Sequence, residues 1–173
     1  MGELDNQKYK SFKKGEILQS ANTHKSGVYY VKKGLLKSYL IDSKGKEHIY
    51  MFAPEGWIIG DLEAIEYEMS NVLFISCIED SEVILLDKDQ FFEGELSAAQ
   101  INEKVKLLYR RIGRLQRRVL MLMGAPAIDR YTYFTKTYPD LLNRVPQHMI
   151  ASFLGIAPQT LSTLRKKISE SGL

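Results

Sequence analysis

A single cysteine in 173 residues, Cys77, leaves no internal disulfide to form and no four-thiolate metal site to build. No apolar run approaches the roughly 18 to 20 residues that cross a membrane. The opening residues, MGELDNQKYK, lack the apolar core of a secretory signal, and Asn6 and Gln7 stand where a myristoylation signal wants Ser or Thr. A cytoplasmic protein without membrane contact is expected. Histidine is nearly as scarce: His24 sits in a polar loop, His48 in a strand-like run, and His148 far away in the C-terminal part. No ligand-spaced partner lies near His24 or His48, so a metal enzyme of the cupin type lacks its ligands. Nor is there a Ser/His/Asp or Cys/His arrangement for nucleophilic catalysis. No catalytic residue, metal or cofactor is expected, and the chain does not read as an enzyme.

Net charge is also low, at +3, but it is unevenly spread. Residues 1–100 hold 11 Lys and Arg against 17 Asp and Glu, whereas residues 101–173 hold 13 against 4. An acidic front and a basic back suggest two functional parts, the second facing a polyanion or simply presenting a solvated basic surface.

Between Phe12 and Asp89 the chain runs through GVYYVKKG, LLKSYLID, KEHIYMFA, NVLFISCIE and EVILLD, all rich in Val, Ile, Tyr and Phe. Such residues suit a pleated, half-buried surface. DSKG at 42–45 signals a hairpin with Gly45 at positive φ, and Gly15, Gly27, Gly34 and Gly60 punctuate other corners. Many short strands at this spacing predict an antiparallel sandwich or barrel. Alternation in VLFISCI puts Leu73, Ile75 and Cys77 on one face, making Cys77 a small buried hydrophobe rather than a reactive thiol.

Ser97 can cap a helix that continues to about Met123 with no proline and one internal glycine, Gly113. Along it Ile101, Val105, Leu108, Ile112, Leu115, Val119 and Leu122 are spaced 4, 3, 4, 3, 4, 3, the seam of a coiled coil. Lys104, Lys106, Arg110, Arg111, Arg114, Arg117 and Arg118 lie between them. The seam suits packing on the chain's own β-part or on a second copy, and its narrow apolar width favours the second copy. Gly124 and Pro126 then break the helix, and AIDRYTYFTKTYP predicts another that ends at Pro139.

QHMIASFLGIAPQTLSTLRK, from residue 147, resembles two helices around a glycine turn. Ile150, Leu154, Ile156, Leu161 and Leu164 supply packing residues, Ala151 the close approach and Gly155 the left-handed stop. Pro158 suits the first position of the second helix, and Ala157 is a poor cap before it. These are the requirements of a helix-turn-helix.

In this order, FKKGEIL, GVYYVKKGLLKSY and RVPQHMIASFLGIAPQTLSTLRKKI resemble the Crp/Fnr family of bacterial transcription regulators, over roughly residues 10 to 170. The last stretch is the most specific and is similar to the shorter regulators common in Bacteroidetes. The resemblance implies an α+β protein: an antiparallel, cyclic-nucleotide-binding-like β-roll over 1–96, a dimerisation helix over 97–123 and a DNA-binding domain over 124–173. It implies a homodimer on a palindromic operator in double-stranded DNA, with RNA polymerase and a small-molecule effector as further partners. By motif position the family's DNA contacts fall on Gln147, Pro158, Gln159, Thr160, Ser162, Thr163 and Lys166. The amide of Gln159 suits bidentate pairing with adenine and the methyl of Thr163 a thymine methyl, while Gln147, Thr160, Ser162 and Lys166 suit phosphates.

The chain departs from the family at the effector pocket. The family's Gly-Glu-Leu turn is Gly60-Asp61-Leu62 here, and Asn71 stands where an arginine pairs with the cyclic phosphate. The long helix lacks a hydroxyl pair for the base, with Leu115 and Gln116 near that level. Cyclic AMP is therefore not expected to bind in the family's usual way. One cysteine excludes the iron–sulfur branch, and five residues after Ile168 are too few for the family's β-hairpin wing. The competing expectation is a cyclic-nucleotide or other small-ligand module whose helix-turn-helix makes protein contacts only.

Overall fold

The computed structural model describes residues 8–86 and 97–171. The chain divides into two compact units, residues 1–94 and 95–173. The segment DKDQFFEGEL before Ser97 lies outside the described residues.

The first unit is an antiparallel β-roll. Strands β1 (Lys10–Phe12), β8 (Ser81–Leu86), β3 (Val28–Lys33) and β6 (Ile58–Ile59) form one sheet in that order. Strands β2 (Ile17–Gln19), β7 (Phe74–Cys77), β4 (Leu36–Ile41) and β5 (Glu47–Ala53) form the other. The five runs rich in β-branched and aromatic residues are all strands. The short β1, β2 and β6 carry too few residues to show an alternation, and they escape a sequence reading. A helix of one turn, α1 (Leu62–Glu66), follows β6.

The two inner faces pack Tyr29, Val31, Leu36, Ala53, Ile59, Ile75, Cys77 and Val83 into one cluster. Sequence alternation implies one wet face for β3, yet Val28 and Tyr30 are buried as well, in a second cluster with Ile65, Ile84 and Leu86. The reason is α1, whose Ile65 covers the outer face of that strand. Cys77 is buried as expected, and burial pushes its thiol pKa up.

The hairpin at 42–46 closes as its sequence requires. Gly45 has φ +77°, and the Asp42 carboxylate accepts from the backbone N–H of Lys44 and Lys46 at 2.9 and 3.0 Å. His48 Nε2 lies 2.8 Å from its other oxygen. Across β4 and β5, Lys37 is buried, paired with Glu47, and has its ammonium 4.1 Å from the Tyr39 ring centre.

The second unit is helical. Helix α2 (Ala98–Gly124) starts in a capping box: Ser97 Oγ accepts from Gln100 N–H, and Gln100 Oε1 accepts from Ser97 N–H at 2.9 Å. Pro126 ends it, and α3 (Ala127–Thr137), a 3₁₀ turn (Pro139–Leu142), α4 (Gln147–Leu154) and α5 (Pro158–Ser171) follow. Phe134, Tyr138 and Phe153 meet with ring centres 5.5 to 6.2 Å apart, over Ile150, Ala151 and Leu161 at 1% exposure or less.

The bond to His48, then those from the Lys46 and Lys44 N–H groups, hold the Asp42 pKa down at about 2. A depressed carboxylate stabilises the folded hairpin above its unfolded pKa of about 3.9, and that contribution disappears as pH falls through the folded value. Carboxyl-carbon NMR should give Asp42 a midpoint near 2. Asp42→Asn should weaken the hairpin at pH 5 and lose that effect on approaching pH 2. A midpoint near 4 would contradict the arrangement.

Candidate nucleic-acid interface

The turn between α4 and α5 is built on Gly155. Its φ of +65° and ψ of +35° place it in the left-handed region. The Gly155 N–H donates to Ser152 O and the Ile156 N–H to Ala151 O, both at 3.0 Å, which is the Schellman closure of a helix. The fit is also close, since a Cβ would sit 3.1 Å from Leu122 Cδ2 and 3.4 Å from Arg130 Nη1, and the Leu122 side chain would have to shift slightly. Pro158 opens α5, where its missing N–H costs nothing.

On α5 the sequence separates two faces. Leu161 is fully buried, and Leu164 and Ile168 are half-buried on the same stripe. Gln159, Thr163 and Lys166, spaced 4 and 3, form the opposite stripe and are exposed, as are Pro158, Thr160 and Ser162. Gln147 is exposed in the first turn of α4. Thr163 donates its hydroxyl proton to Gln159 O at 3.0 Å, so outwardly it offers a methyl group and oxygen lone pairs. Lys166 lies 3.8 Å from Glu170, an exposed pair that leaves the ammonium available to a phosphate.

The seam of α2 is uncovered. Ile101, Val105, Leu108, Ile112, Leu115, Val119 and Leu122 are each 36 to 55% exposed. Leu122, the last of them, also borders Gly155.

In the β-roll, the polar groups of Asp61 and Asn71 are engaged by the protein itself. Asp61 is 5% exposed; its Oδ2 accepts from the N–H of Val72 at 2.8 Å and of Leu73 at 3.0 Å, and it caps α1. Asn71 is 1% exposed. Its Oδ1 accepts from Ser26 Oγ at 2.7 Å, and its Nδ2 donates to Lys25 O at 3.0 Å and Thr23 Oγ1 at 3.1 Å. Gly60 runs so close to Gly27 that a Cβ would lie 2.9 Å from its carbonyl oxygen, whereas Leu62 is exposed. A cleft of about 260 Å³ in this unit is lined by Lys10, Phe12, Leu18, Tyr29, Val83 and Leu85, none of the four.

Residues 9–94 match the cyclic nucleotide-binding domain family. All of the chain aligns at 23% identity with 72% of the anaerobic regulatory protein of Haemophilus influenzae. It aligns over 99% at 24% identity with 76% of the regulatory protein HlyX of Actinobacillus pleuropneumoniae. Along its whole length the chain is thus similar to transcription regulators of the Crp/Fnr kind. Among solved structures, FixK2 of Bradyrhizobium japonicum superposes with a TM-score of 0.75 at 20% identity, over 95% of this chain and 85% of that one. A CooA variant of Carboxydothermus hydrogenoformans gives 0.75 at 22% identity, over 99% and 80%. The predicted α+β class with an antiparallel β-roll is thereby established. Sequence reasoning missed Arg118 and Arg130, which bond the end of α4: Arg118 is one of several arginines on α2, and nothing near Arg130, the single arginine of α3, marks it as a partner for another helix.

Asn71→Ala should remove a satisfied buried network and destabilise the β-roll by about 2–4 kcal/mol. Urea unfolding followed by Trp57, the single tryptophan, reads this unit directly. A loss under about 0.5 kcal/mol, the scatter of ordinary surface changes, would show that Asn71 is not structural.

Proposed function

We propose that this chain is a transcription regulator that binds double-stranded DNA as a homodimer, in the cytoplasm, through Gln147 and the exposed face of α5. The observation that carries the reading is the polar stripe of Gln159, Thr163 and Lys166 on the second helix of a helix-turn-helix, directly opposite the buried Leu161. A helix of this kind enters the major groove by its N-terminal half. Gln159 then pairs with adenine, Thr163 touches a thymine methyl, Thr160, Ser162, Lys166 and Gln147 border the phosphates, and Pro158 opens the helix at the DNA. The uncovered seam of α2 supports pairing of two copies. A two-fold dimer places the two α5 helices on half-sites about one helical turn, roughly 34 Å, apart. Contact with RNA polymerase belongs to the same reading.

The engagement of Asp61 and Asn71 by their own fold supports an effector other than cyclic AMP held in the family's usual manner. Asn71 brings no charge to a phosphate, and its amide is already committed to Lys25 O and Thr23 Oγ1. Selection of bound oligonucleotides from a random pool tests the whole reading. A palindromic motif supports it, and a pool without enrichment overturns it in favour of protein contacts alone.

Leu108→Glu or Leu115→Glu places facing carboxylates in the proposed seam, at a cost of several kcal/mol by the usual magnitude for unpaired buried charge. Sedimentation should show monomers for each. Two unchanged dimers would remove α2 as the pairing element.

Gln159→Ala should relax base preference at one position per half-site and cost about 1–3 kcal/mol there. Lys166→Ala should weaken all sequences alike and reduce the salt slope by about one per half-site. Identical behaviour of the two variants across a mismatch series would refute the division into base and phosphate contacts.

A further inference from the structure

A helix leaves its last four carbonyls without partners of its own. In α4 these belong to Ala151, Ser152, Phe153 and Leu154. The turn satisfies the first two through the N–H groups of Ile156 and Gly155. The other two are bonded from elsewhere. Arg118 of α2 donates from Nη2 to Phe153 O at 3.0 Å, and Arg130 of α3 donates from Nη1 to Leu154 O at 3.0 Å. Arg130 also donates from Nε to Ala125 O at 3.0 Å, so one guanidinium joins the break after α2 to the end of α4. The Arg118 guanidinium lies 4.3 Å from the centre of the Phe153 ring. Leu122 of α2 fills the space beside Gly155.

Cationic donors suit this place for two reasons. The C-terminus of a helix carries partial negative charge, and a charged donor makes a stronger bond to a carbonyl than a neutral one. A planar guanidinium also presents its donors in a fixed fork, so the bond sets a direction as well as a distance. The pair is therefore suited to holding an angle.

We propose that Arg118 and Arg130 are positioning residues that fix the helix-turn-helix turn to α2, so that the angle of α5 follows the long helix. The consequence for DNA rests on the reading given under Proposed function, but the clamp itself does not. Both guanidinium groups are half-buried and committed to carbonyls, so neither acts as a phosphate contact. Movement of α2 reaches α5 through the Phe153 and Leu154 carbonyls and through Leu122 against Gly155.

Two measurements on the full chain test this. The first is amide hydrogen exchange by NMR on Arg118→Met and Arg130→Met, which keep the side-chain stem and remove the donors. Exchange at the Gly155 and Ile156 N–H groups should quicken about tenfold, the scale of one lost charged hydrogen bond, with the β-roll unchanged. Arg118→Lys, which retains a cationic donor, should restore part of the protection and covers the case in which Arg118→Met fails to fold. Unaltered exchange at the turn in both Met variants, or in Arg130→Met alone where Arg118→Met does not fold, would overturn the clamp.

The second is binding to the oligonucleotide selected by the unmodified protein. Arg118→Met should bind more weakly with an unchanged salt slope, and should discriminate less against half-sites moved by one base pair. A slope reduced by about one per half-site would make Arg118 a phosphate contact and overturn the proposal. If selection enriches no sequence, the DNA reading fails, and hydrogen exchange still decides the clamp.

Discussion

The carbonyl oxygens at the end of α4 must find donors, and the way they find them orders the C-terminal unit. A buried carbonyl without a partner costs more than an ordinary hydrogen bond gains, so the end of this helix cannot simply be left open. Gly155 supplies half of the answer by turning the chain back on itself at φ +65°. Arg118 and Arg130 supply the other half from two other helices. The same glycine lets Leu122 come close, where a Cβ would crowd it. One turn thus joins the helix that carries the seam to the helix that carries the polar stripe.

The β-roll answers the same requirement with different side chains. Asp61 takes the N–H groups of Val72 and Leu73, and Asn71 takes Ser26 Oγ and gives to Lys25 O. Around Gly60 the backbones run too close for any side chain to intervene. Groups that would face a ligand in a related pocket are here spent on tying the segment at 71–73 to α1 and to the loop at 20–26. A charged ligand entering this place would have to displace bonds the fold already makes. That competition supports the proposal that cyclic AMP is not held here in the family's usual manner.

Elements whose cause is local were legible in the sequence. The heptad spacing, the Ser97 cap, the DSKG hairpin and the Gly155–Pro158 turn each depend on residues within a few positions, and each is in place. The burial of both faces of β3 was not legible, because it comes from Ile65 some 35 positions away. The inward commitment of Asp61 and Asn71 was hidden for the same reason. Aligning a position with a family pattern shows what a residue replaces, but not which backbone atoms it meets. Arg118 read as one more cation on a basic helix, and only the path of α4 distinguishes it.

The exposed stripe of α5 and the uncovered seam of α2 make different demands on precision. An apolar seam tolerates small shifts, since its stabilisation scales with area and has no direction. A bidentate contact tolerates little, because a hydrogen bond weakens steeply with misalignment. At 1.5 Å per residue, a tilt of α5 by about 5° at its turn moves Gln159 by only a few tenths of an ångström but Lys166 by about 1 Å. The side chain suited to reading a base therefore stands closest to the clamped end. The flexible lysine, which needs only proximity to a phosphate, stands where the displacement is larger. On the proposed reading, a clamped turn would secure the base contact of Gln159 and leave the more tolerant phosphate contact of Lys166 at the free end.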